Sequence, residues 1–240
     1  MARNRNGFFA RHPRLVRGVL MTVVFLAALV AGGAFTAWAL VCRGGACPSI
    51  ASLDDYTPRQ TSKLFAADGR FIAEIGLERR TLIRIDQIPP VVKQAFLTVE
   101  DKRFYRHSGI DWIRVPGSML QNLRAGRVTQ GFSTVTMQLS GNIFPERINR
   151  RERSGLAGIA RKIREAKVAR EIEAKYSKDK ILELYLNQIY LGSGAYGVET
   201  ASQRYFGKSA QDLNLAEAAT LAALPKGPTR YDPRRFPDRA

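Results

Sequence analysis

The 240-residue chain is poor in metal-binding side chains, with only two histidines and two cysteines. A protein-built zinc site normally takes about four nitrogen or sulfur ligands, and one of the histidines, His12, precedes a long apolar run. The composition therefore argues against a zinc enzyme. It also excludes a disordered or collagen-like chain, since 45% of the residues are hydrophobic and 25% are charged. The length fits one domain, or one domain with an anchor.

Acidic residues are missing from the N-terminal region, and all 21 of them follow residue 42. Residues 18–42 carry no charge, and a helix needs about 20 apolar residues to cross a bilayer. Five arginines precede this run and predict a cytoplasmic N-terminus. We therefore predict a cytoplasmic tail over 1–17 and a transmembrane anchor over 18–42. A cleaved signal peptide is the alternative, because Ala37-Trp38-Ala39 resembles a cleavage site, but a signal h-region is usually about 7–15 residues long.

The net charge of +17 fits nucleic acid, anionic lipid or a phosphorylated substrate. Without the five tail arginines, 33 basic residues stand against 21 acidic ones, so the exported part still carries +12. A domain outside the cytoplasm is not expected to meet nucleic acid, which favours membrane phosphates as partners. Cys42 and Cys47 lie just beyond the predicted span, where an oxidising compartment would allow a disulfide.

Beyond the anchor, we predict a linker over 43–61 and one mainly α domain over 62–240, with a small β annex at its N-terminal end. In this annex, Asp68-Gly69 between apolar runs predicts a β-hairpin. Residues 81–85 are predicted as a third strand.

The remainder of the chain has helical patterns. Pro90 predicts a helix start, and apolar spacing predicts helices over 155–176 and 178–191. Pro116-Gly117 predicts a kink or a late start in a helix over 111–125. Asn214 and Glu217 predict a capping box for the last long helix.

Glu100 follows an apolar helix face, which would place its carboxylate at the edge of a partly desolvated cleft. A carboxylate in such surroundings is a usable general base near neutral pH. His107 would lie two turns along the same face if the helix continued. An ordinary charged helix end with a core-facing histidine is the alternative interpretation.

Two further segments carry candidate binding groups. Residues 130–142 are rich in hydroxyl and amide groups, which suit sugar hydroxyls or phosphate oxygens, although for this segment alone a polar loop before a capped helix is the preferred explanation. Residues 161–165 place three cations around Glu165. This segment is either a solvated helix pair between Arg161 and Glu165 or a basic patch for a diphosphate.

The order and spacing of these segments resemble glycosyltransferase family 51. This is the peptidoglycan glycosyltransferase domain of class A penicillin-binding proteins and of monofunctional transglycosylases. Its Glu-Asp-x-x-Phe-x-x-His-x-Gly and Gly-x-Ser-Thr-x-Thr-x-Gln-Leu motifs are matched at 100–109 and 131–139. Arg-Lys-x-x-Glu is matched at 161–165, and Lys-x-x-Ile-Leu-Glu-x-Tyr-Leu-Asn at 178–187. The stretch over 215–233 resembles the closing segment, so the likeness covers about residues 62 to 240.

The resemblance implies a lysozyme-like, mainly α domain that polymerises lipid II by inverting transfer and releases undecaprenyl diphosphate. By analogy, Glu100 is the general base and Glu165 is the second catalytic carboxylate, which positions the donor. The implied substrate-binding residues are Asp101, Phe104, His107, Ser133, Thr134, Gln138, Asn142, Arg161, Lys162 and Arg164.

The implied partners are lipid II, the growing glycan chain, the membrane and other cell-wall synthesis proteins, with no nucleic acid. The implied location is the bacterial cytoplasmic (inner) membrane, crossed once, with the catalytic domain outside the cytoplasm. The resemblance allows for a divalent cation, magnesium or manganese, at the diphosphate. It implies no other cofactor and leaves open which residues would bind a metal ion.

The chain departs from the family at Gly141, where many members carry a lysine assigned to the donor's phosphates. The expected substitute is one of four nearby arginines: Arg147, Arg150, Arg151 or Arg153. The stretch between Asn142 and Arg161 is also longer than is usual in the family.

Two other interpretations of the function are open. They are a lysozyme-like hydrolase with Glu100 as general acid and a non-enzymatic scaffold for lipid phosphates. No transpeptidase domain follows within the 240 residues. We therefore expect either a monofunctional enzyme or the N-terminal part of a bifunctional one.

Overall fold

The computed structural model describes residues 13–53, 56, 58, 61–76, 78–126, 131–152 and 154–239. The chain divides into two compact units, Met1–Ala46 and Cys47–Ala240. The predicted tail residues Arg3, Arg5 and Arg11, together with His12, lie outside the described residues.

The first unit contains helix α1, Pro13–Val41, which has 29 residues. At about 1.5 Å per residue it is roughly 43 Å long, more than the hydrocarbon core of about 30 Å. Its most apolar window has a mean hydropathy of 2.3, and none of that window is buried. Among the described residues, α1 is thus the one helix long and apolar enough to span a membrane, and it begins five residues before the uncharged run.

Cys42 and Cys47 are both disulfide-bonded. The segment predicted as a linker contains two short 3₁₀ helices, Arg43–Gly45 and Ile50–Leu53. Leu53 is buried in the hydrophobic core of the second unit. Part of this segment is therefore packed onto the domain.

Strands β1, Ser62–Phe65, and β2, Phe71–Ile75, form an antiparallel hairpin. Gly69 sits in its turn with φ +81°, and its N–H donates to the Ala66 carbonyl. A positive φ suits glycine because it has no Cβ. The predicted hairpin is confirmed.

The predicted third strand over 81–85 is wrong. Strand β3 is only Arg79–Arg80, and it pairs in parallel with β4, Ala195–Tyr196. The main-chain N–H groups that follow β3 donate to helix side chains instead of to a strand. Thr81 donates to Thr200 Oγ1 (2.8 Å), and Ile83 donates to Asn187 Oδ1 (2.9 Å).

The second unit is mainly helical, and the predicted α-rich domain with a small β annex is confirmed. Its helices are α2, Pro90–Glu100; α3, Arg114–Ala125; α4, Val135–Ile143; α5, Gly155–Lys175; α6, Lys178–Gln188; α7, Val198–Phe206; and α8, Leu215–Ala223.

The predicted helix starts are confirmed. Pro90 is the first residue of α2. Pro116 is the third residue of the late-starting α3. The first N–H groups of a helix have no acceptor within it, so a proline at this position costs no helical hydrogen bond. Asn214 Oδ1 accepts from the Glu217 N–H (3.0 Å), and Glu217 Oε2 accepts from the Asn214 N–H (2.8 Å). These two bonds are the expected capping box.

Helix α4 lies in the centre of the domain and packs against both α5 and α6, while α2 packs against α8. Most of α4 is buried, including Val135, Met137 and Leu139. Because α4 is fixed on several sides, the polar groups at its start and along one face are held in place.

Gly109 allows the chain before α4 to approach α5. Its φ is +89°, and a Cβ there would lie 3.0 Å from the main-chain carbonyl carbon and oxygen of Ala169. Gly207 has a similar φ of +70° but faces open space.

We expect Gly109→Ala to lower the free energy of unfolding more than Gly207→Ala does. The left-handed conformation alone costs an alanine about 1–2 kcal/mol, and only Gly109→Ala adds a collision with backbone atoms. Denaturant unfolding of the detergent-solubilised protein measures both changes. Equal losses for the two variants would contradict the close packing at Gly109.

Candidate active site

Helix α4 starts at Val135 because Thr134 caps it. Thr134 Oγ1 accepts from the Met137 N–H (3.2 Å) and donates to the Gly109 carbonyl (2.6 Å). Thr134 is 1% exposed, so both bonds lie in the interior. This cap connects α4 to the loop that follows α2.

Glu100 is the last residue of α2 and is half-buried. Its Oε2 accepts a hydrogen bond from Gln138 Nε2 (2.6 Å), and its main-chain carbonyl accepts from Arg114 Nη1 (3.1 Å). Among the described residues, Glu100 Oε1 accepts no hydrogen bond. The carboxylate is therefore oriented through one oxygen, while the other is free to accept a proton.

Asp101 links the end of α2 to the start of α4. Its carboxylate is 1% exposed. Both of its oxygens lie 3.0 Å from His107 Nε2, and Oδ2 accepts from the Val135 N–H (3.0 Å). The positive end of the α4 dipole favours a carboxylate at this position.

His107 reaches the site by a different route from the expected one. The helix does not continue past Glu100, since Asp101 has φ −156° and a short 3₁₀ turn follows at Phe104–Arg106. Phe104 is 1% exposed and meets the His107 ring edge-to-face with centroids 6.3 Å apart. His107 is thus placed by a compact loop, and the idea of two further helical turns is wrong.

Glu165 is 3% exposed, so it is not part of a solvated helix pair. Arg161 Nη1 binds its Oε1, and Lys162 Nζ binds its Oε2 (2.7 Å) and Ser133 Oγ. Burial lowers the pKa of Lys162 below its ordinary value, and the neighbouring Glu165 acts in the opposite direction. The segment is therefore a packed charge cluster with two bound cations and one carboxylate.

One face of α4 lies between the carboxylates of Glu100 and Glu165. Gln138 reaches Glu100, and a Cβ on Gly141 would lie 3.7 Å from Glu165 Oε1. Residues three apart share one face of a helix. The fold thus brings the carboxylate with a free oxygen and the basic cluster to the same side of one buried helix.

Two other predicted residues have contacts at the edge of this site. Asn142 Oδ1 accepts from Arg150 Nη1 (2.5 Å). Arg164 Nη1 donates to the Arg147 carbonyl (3.5 Å) rather than to the Glu165 carboxylate. Of the three cations predicted around Glu165, Arg161 and Lys162 bind its carboxylate, whereas the described contacts of Arg164 include none with it. The roles of all these residues in substrate binding stay predictions.

A cavity of about 560 Å³ opens beside Gly141 and Asn142, with Arg150, Glu146 and Tyr196 among its lining residues. A second one of about 490 Å³ shares part of this lining and includes Tyr190. The Tyr190 and Tyr196 rings lie 4.9 Å apart. An aromatic wall beside carboxylate and amide groups suits a sugar.

Sequence reasoning missed the contacts of Arg114 and Tyr196 at this site. Tyr196 lies in a glycine-rich stretch directly after the fourth motif, which could have pointed to it. Arg114 has no such signal, because its contact with Glu100 depends on tertiary packing. Arg150 was expected only as one of four possible substitutes for the missing lysine, and its contact with Asn142 also depends on packing.

The donor set does not form a protein-built metal site. Within the described ranges, no group of three histidine, cysteine or acidic residues could hold a metal ion. Both oxygens of Glu165 are already bound by Arg161 and Lys162. A divalent cation would find one paired carboxylate here, whereas magnesium normally combines one or two carboxylates with waters and substrate phosphates.

A family model described as Transglycosylase matches residues 68–240. The chain is similar to penicillin-binding protein 1A of Aquifex aeolicus, with 49% identity over 193 residues, 80% of this chain and 26% of that protein. It is 46% identical over 193 residues to the Neisseria flavescens protein, which covers 80% of this chain and 23% of that protein. It is 40% identical over 228 residues to the Neisseria gonorrhoeae protein, a match that covers 94% of this chain and 28% of that protein.

The chain thus spans about a quarter of the length of the curated relatives it matches. Among solved structures, it is similar to penicillin-binding protein 1A from Haemophilus influenzae, with a TM-score of 0.40 and 26% identity. That match covers 77% of this chain and 17% of the other.

We expect Glu165→Gln to lower the free energy of unfolding by about 3 kcal/mol, because removing one partner of a buried ion pair leaves the remaining charges uncompensated. Glu171→Gln on the same helix is the control. Its carboxylate pairs with Lys167 and is 34% exposed, and such a pair contributes less than about 1 kcal/mol. Chemical denaturation measures both, and similar small losses would show that the Glu165 cluster is effectively solvated.

Proposed function

The chain belongs to the transglycosylase family, and on that premise we propose that it is a peptidoglycan glycosyltransferase that polymerises lipid II into glycan strands. Membership carries with it the lysozyme-like, mainly α fold that the motifs predicted. The structural observation that supports the proposal is the arrangement on α4. Glu100, with a free oxygen, and the cations around Glu165 lie on the same side of this helix.

In the proposed reaction, Glu100 removes the proton from the 4-hydroxyl of the acceptor N-acetylglucosamine. Gln138 holds Oε2, which leaves Oε1 to take that proton. The acceptor oxygen then forms a bond to C1 of the donor N-acetylmuramic acid on the face opposite the leaving group. The C1–O bond to undecaprenyl diphosphate breaks, and the anomeric centre is inverted.

The departing diphosphate carries the developing negative charge. Arg161 and Lys162 are held in place by Glu165, and Lys162 is also bound to Ser133. Fixed positive groups stabilise developing charge without having to reorganise during the reaction. Glu165 is thus proposed to act by positioning these cations, and with them the donor.

A divalent cation at the diphosphate is proposed as an addition to these cations. Such an ion would be bound mainly by phosphate oxygens, because Glu165 is already paired. Removing divalent cations with EDTA and adding back magnesium or manganese, while glycan formation is measured, tests this part.

We propose that the protein crosses the bacterial inner membrane once through α1, with the N-terminus in the cytoplasm. The arginines before the span support this orientation. The disulfide-bonded Cys42 and Cys47 support an oxidising compartment on the other side. Lipid II, the growing glycan chain and other cell-wall synthesis proteins are the proposed partners. The proposal holds for a monofunctional enzyme and for the N-terminal part of a bifunctional penicillin-binding protein.

We expect the purified protein to convert lipid II into glycan polymer and Glu100→Gln to reduce the rate by a factor of about 10² or more, the usual range for removing a general base. Polymer length and amount are measured by gel separation of labelled product. Glu171→Gln, which removes a carboxylate that pairs with Lys167 on the surface, is the matched control and should polymerise at the wild-type rate.

The same protein is incubated with finished glycan. Cleavage of the glycan without polymer formation from lipid II would assign the chain to the hydrolases. Full polymerisation by Glu100→Gln would contradict the role of Glu100 as general base. Neither polymer formation nor glycan cleavage by the wild type, with binding to lipid phosphates that Glu100→Gln leaves intact, would support the scaffold alternative.

A further inference from the structure

Gly141 leaves a space in the buried face of α4 next to the basic cluster. It is a buried residue inside the helix. A Cβ at this position would lie 3.5 Å from both Cγ and Cδ of Arg150 and 3.7 Å from Glu165 Oε1. The aliphatic stem of Arg150 therefore lies across the place where any other residue would have a side chain.

Arg150 is held there by a neutral partner. Its Nη1 donates to Asn142 Oδ1 (2.5 Å). In the part of the chain that the structure describes, Arg150 forms no ion pair with a carboxylate. Arg161 and Lys162, by contrast, both bind Glu165. The positive charge of Arg150 is thus not balanced by a direct partner.

The surroundings of Arg150 are open on one side. Its side chain is exposed and lines the cavity of about 560 Å³ beside Gly141. Glu78 and Glu146 line the same cavity, and Glu78 pairs with Arg80 at 3.1 Å. A guanidinium has five N–H donors, so Arg150 can keep its bond to Asn142 and donate others to an anion in the cavity.

We propose that Arg150 binds diphosphate oxygens of the donor and that its side chain does so from the space left by Gly141. The inference rests on the proposed function for the identity of the ligand, but the anion site itself rests on the contacts above. Guanidinium groups bind phosphate oxygens through paired, charge-assisted hydrogen bonds. Arg150 would add a third cation to Arg161 and Lys162 on the side of α4 that faces Glu165.

Of the arginines near Gly141 that the structure describes, Arg150 is the one whose side chain is among the nearest neighbours of a Cβ at Gly141. The Arg147 carbonyl accepts from Arg164. Arg151 lines the same cavity, but its main-chain N–H donates to Asn149 Oδ1, and it is not among the nearest neighbours of Gly141. Arg153 lies outside the described residues.

The first experiment measures binding of undecaprenyl diphosphate to the full chain in detergent micelles, with undecaprenol as the uncharged comparison. We expect Arg150→Ala to raise the Kd for undecaprenyl diphosphate about tenfold. A tenfold change in Kd corresponds to a binding free energy of about 1.4 kcal/mol, and a hydrogen bond to a charged group contributes at least that much. The Kd for undecaprenol should stay unchanged. Arg151→Ala removes the same charge from the same cavity and should change either Kd less than about twofold.

A second experiment moves the cation to the helix. In Gly141→Lys combined with Arg150→Ala, the lysine enters the space that the arginine stem has vacated, and we expect the Kd to return to within about threefold of the wild-type value. Gly141→Lys alone puts two side chains into that space and should not improve binding. Thermal unfolding checks that each variant is folded, and Arg150→Gln is the alternative if Arg150→Ala is not.

The inference is overturned if Arg150→Ala binds undecaprenyl diphosphate as the wild type does. It is also overturned if Arg151→Ala loses as much affinity, because the effect would then be general electrostatics. If the wild-type protein polymerises lipid II but Arg150→Ala binds undecaprenyl diphosphate with an unchanged Kd, this inference is wrong and the proposed function stands. Arg150-dependent binding without any polymerisation would keep the anion site and remove the proposed reaction.

Discussion

The candidate site depends on the buried carboxylate of Asp101. A buried charge is costly unless it is paired and hydrogen-bonded, and Asp101 meets this requirement through His107 and the Val135 N–H. The end of α2, the loop that follows it and the start of α4 are therefore tied to one another. Glu100 immediately precedes Asp101, so the same bonds limit where the proposed base can lie relative to Gln138.

The charge cluster around Glu165 has a role in donor binding under the proposed function, and net stability alone does not explain it. Buried ion pairs contribute little net stability because their desolvation offsets their attraction. With Arg150, three cations stand near one carboxylate, Glu165. Such an excess of positive charge is unfavourable without an anion, and it gives part of the net charge of +12 after residue 42 a defined location.

Features that depend on neighbouring residues could be predicted from the sequence. The Asp68-Gly69 hairpin and the Asn214–Glu217 capping box are confirmed because their bonds join residues a few positions apart. The predicted third strand over 81–85 was wrong because its acceptors lie on distant helices. Ile83 and Asn187, for example, are 104 residues apart along the chain, and no local pattern reports such a pairing.

By itself the sequence determined the apolar span, the faces of the helices and the chemical groups of the site, since periodicity and motif spacing express these within short segments. Tertiary structure alone decided which groups meet. It brought Gln138 to Glu100, ended α2 before His107, and laid Arg150 over Gly141. These contacts are decided by how α4 packs between its neighbours, and packing joins residues whose separation along the chain carries no periodic signal.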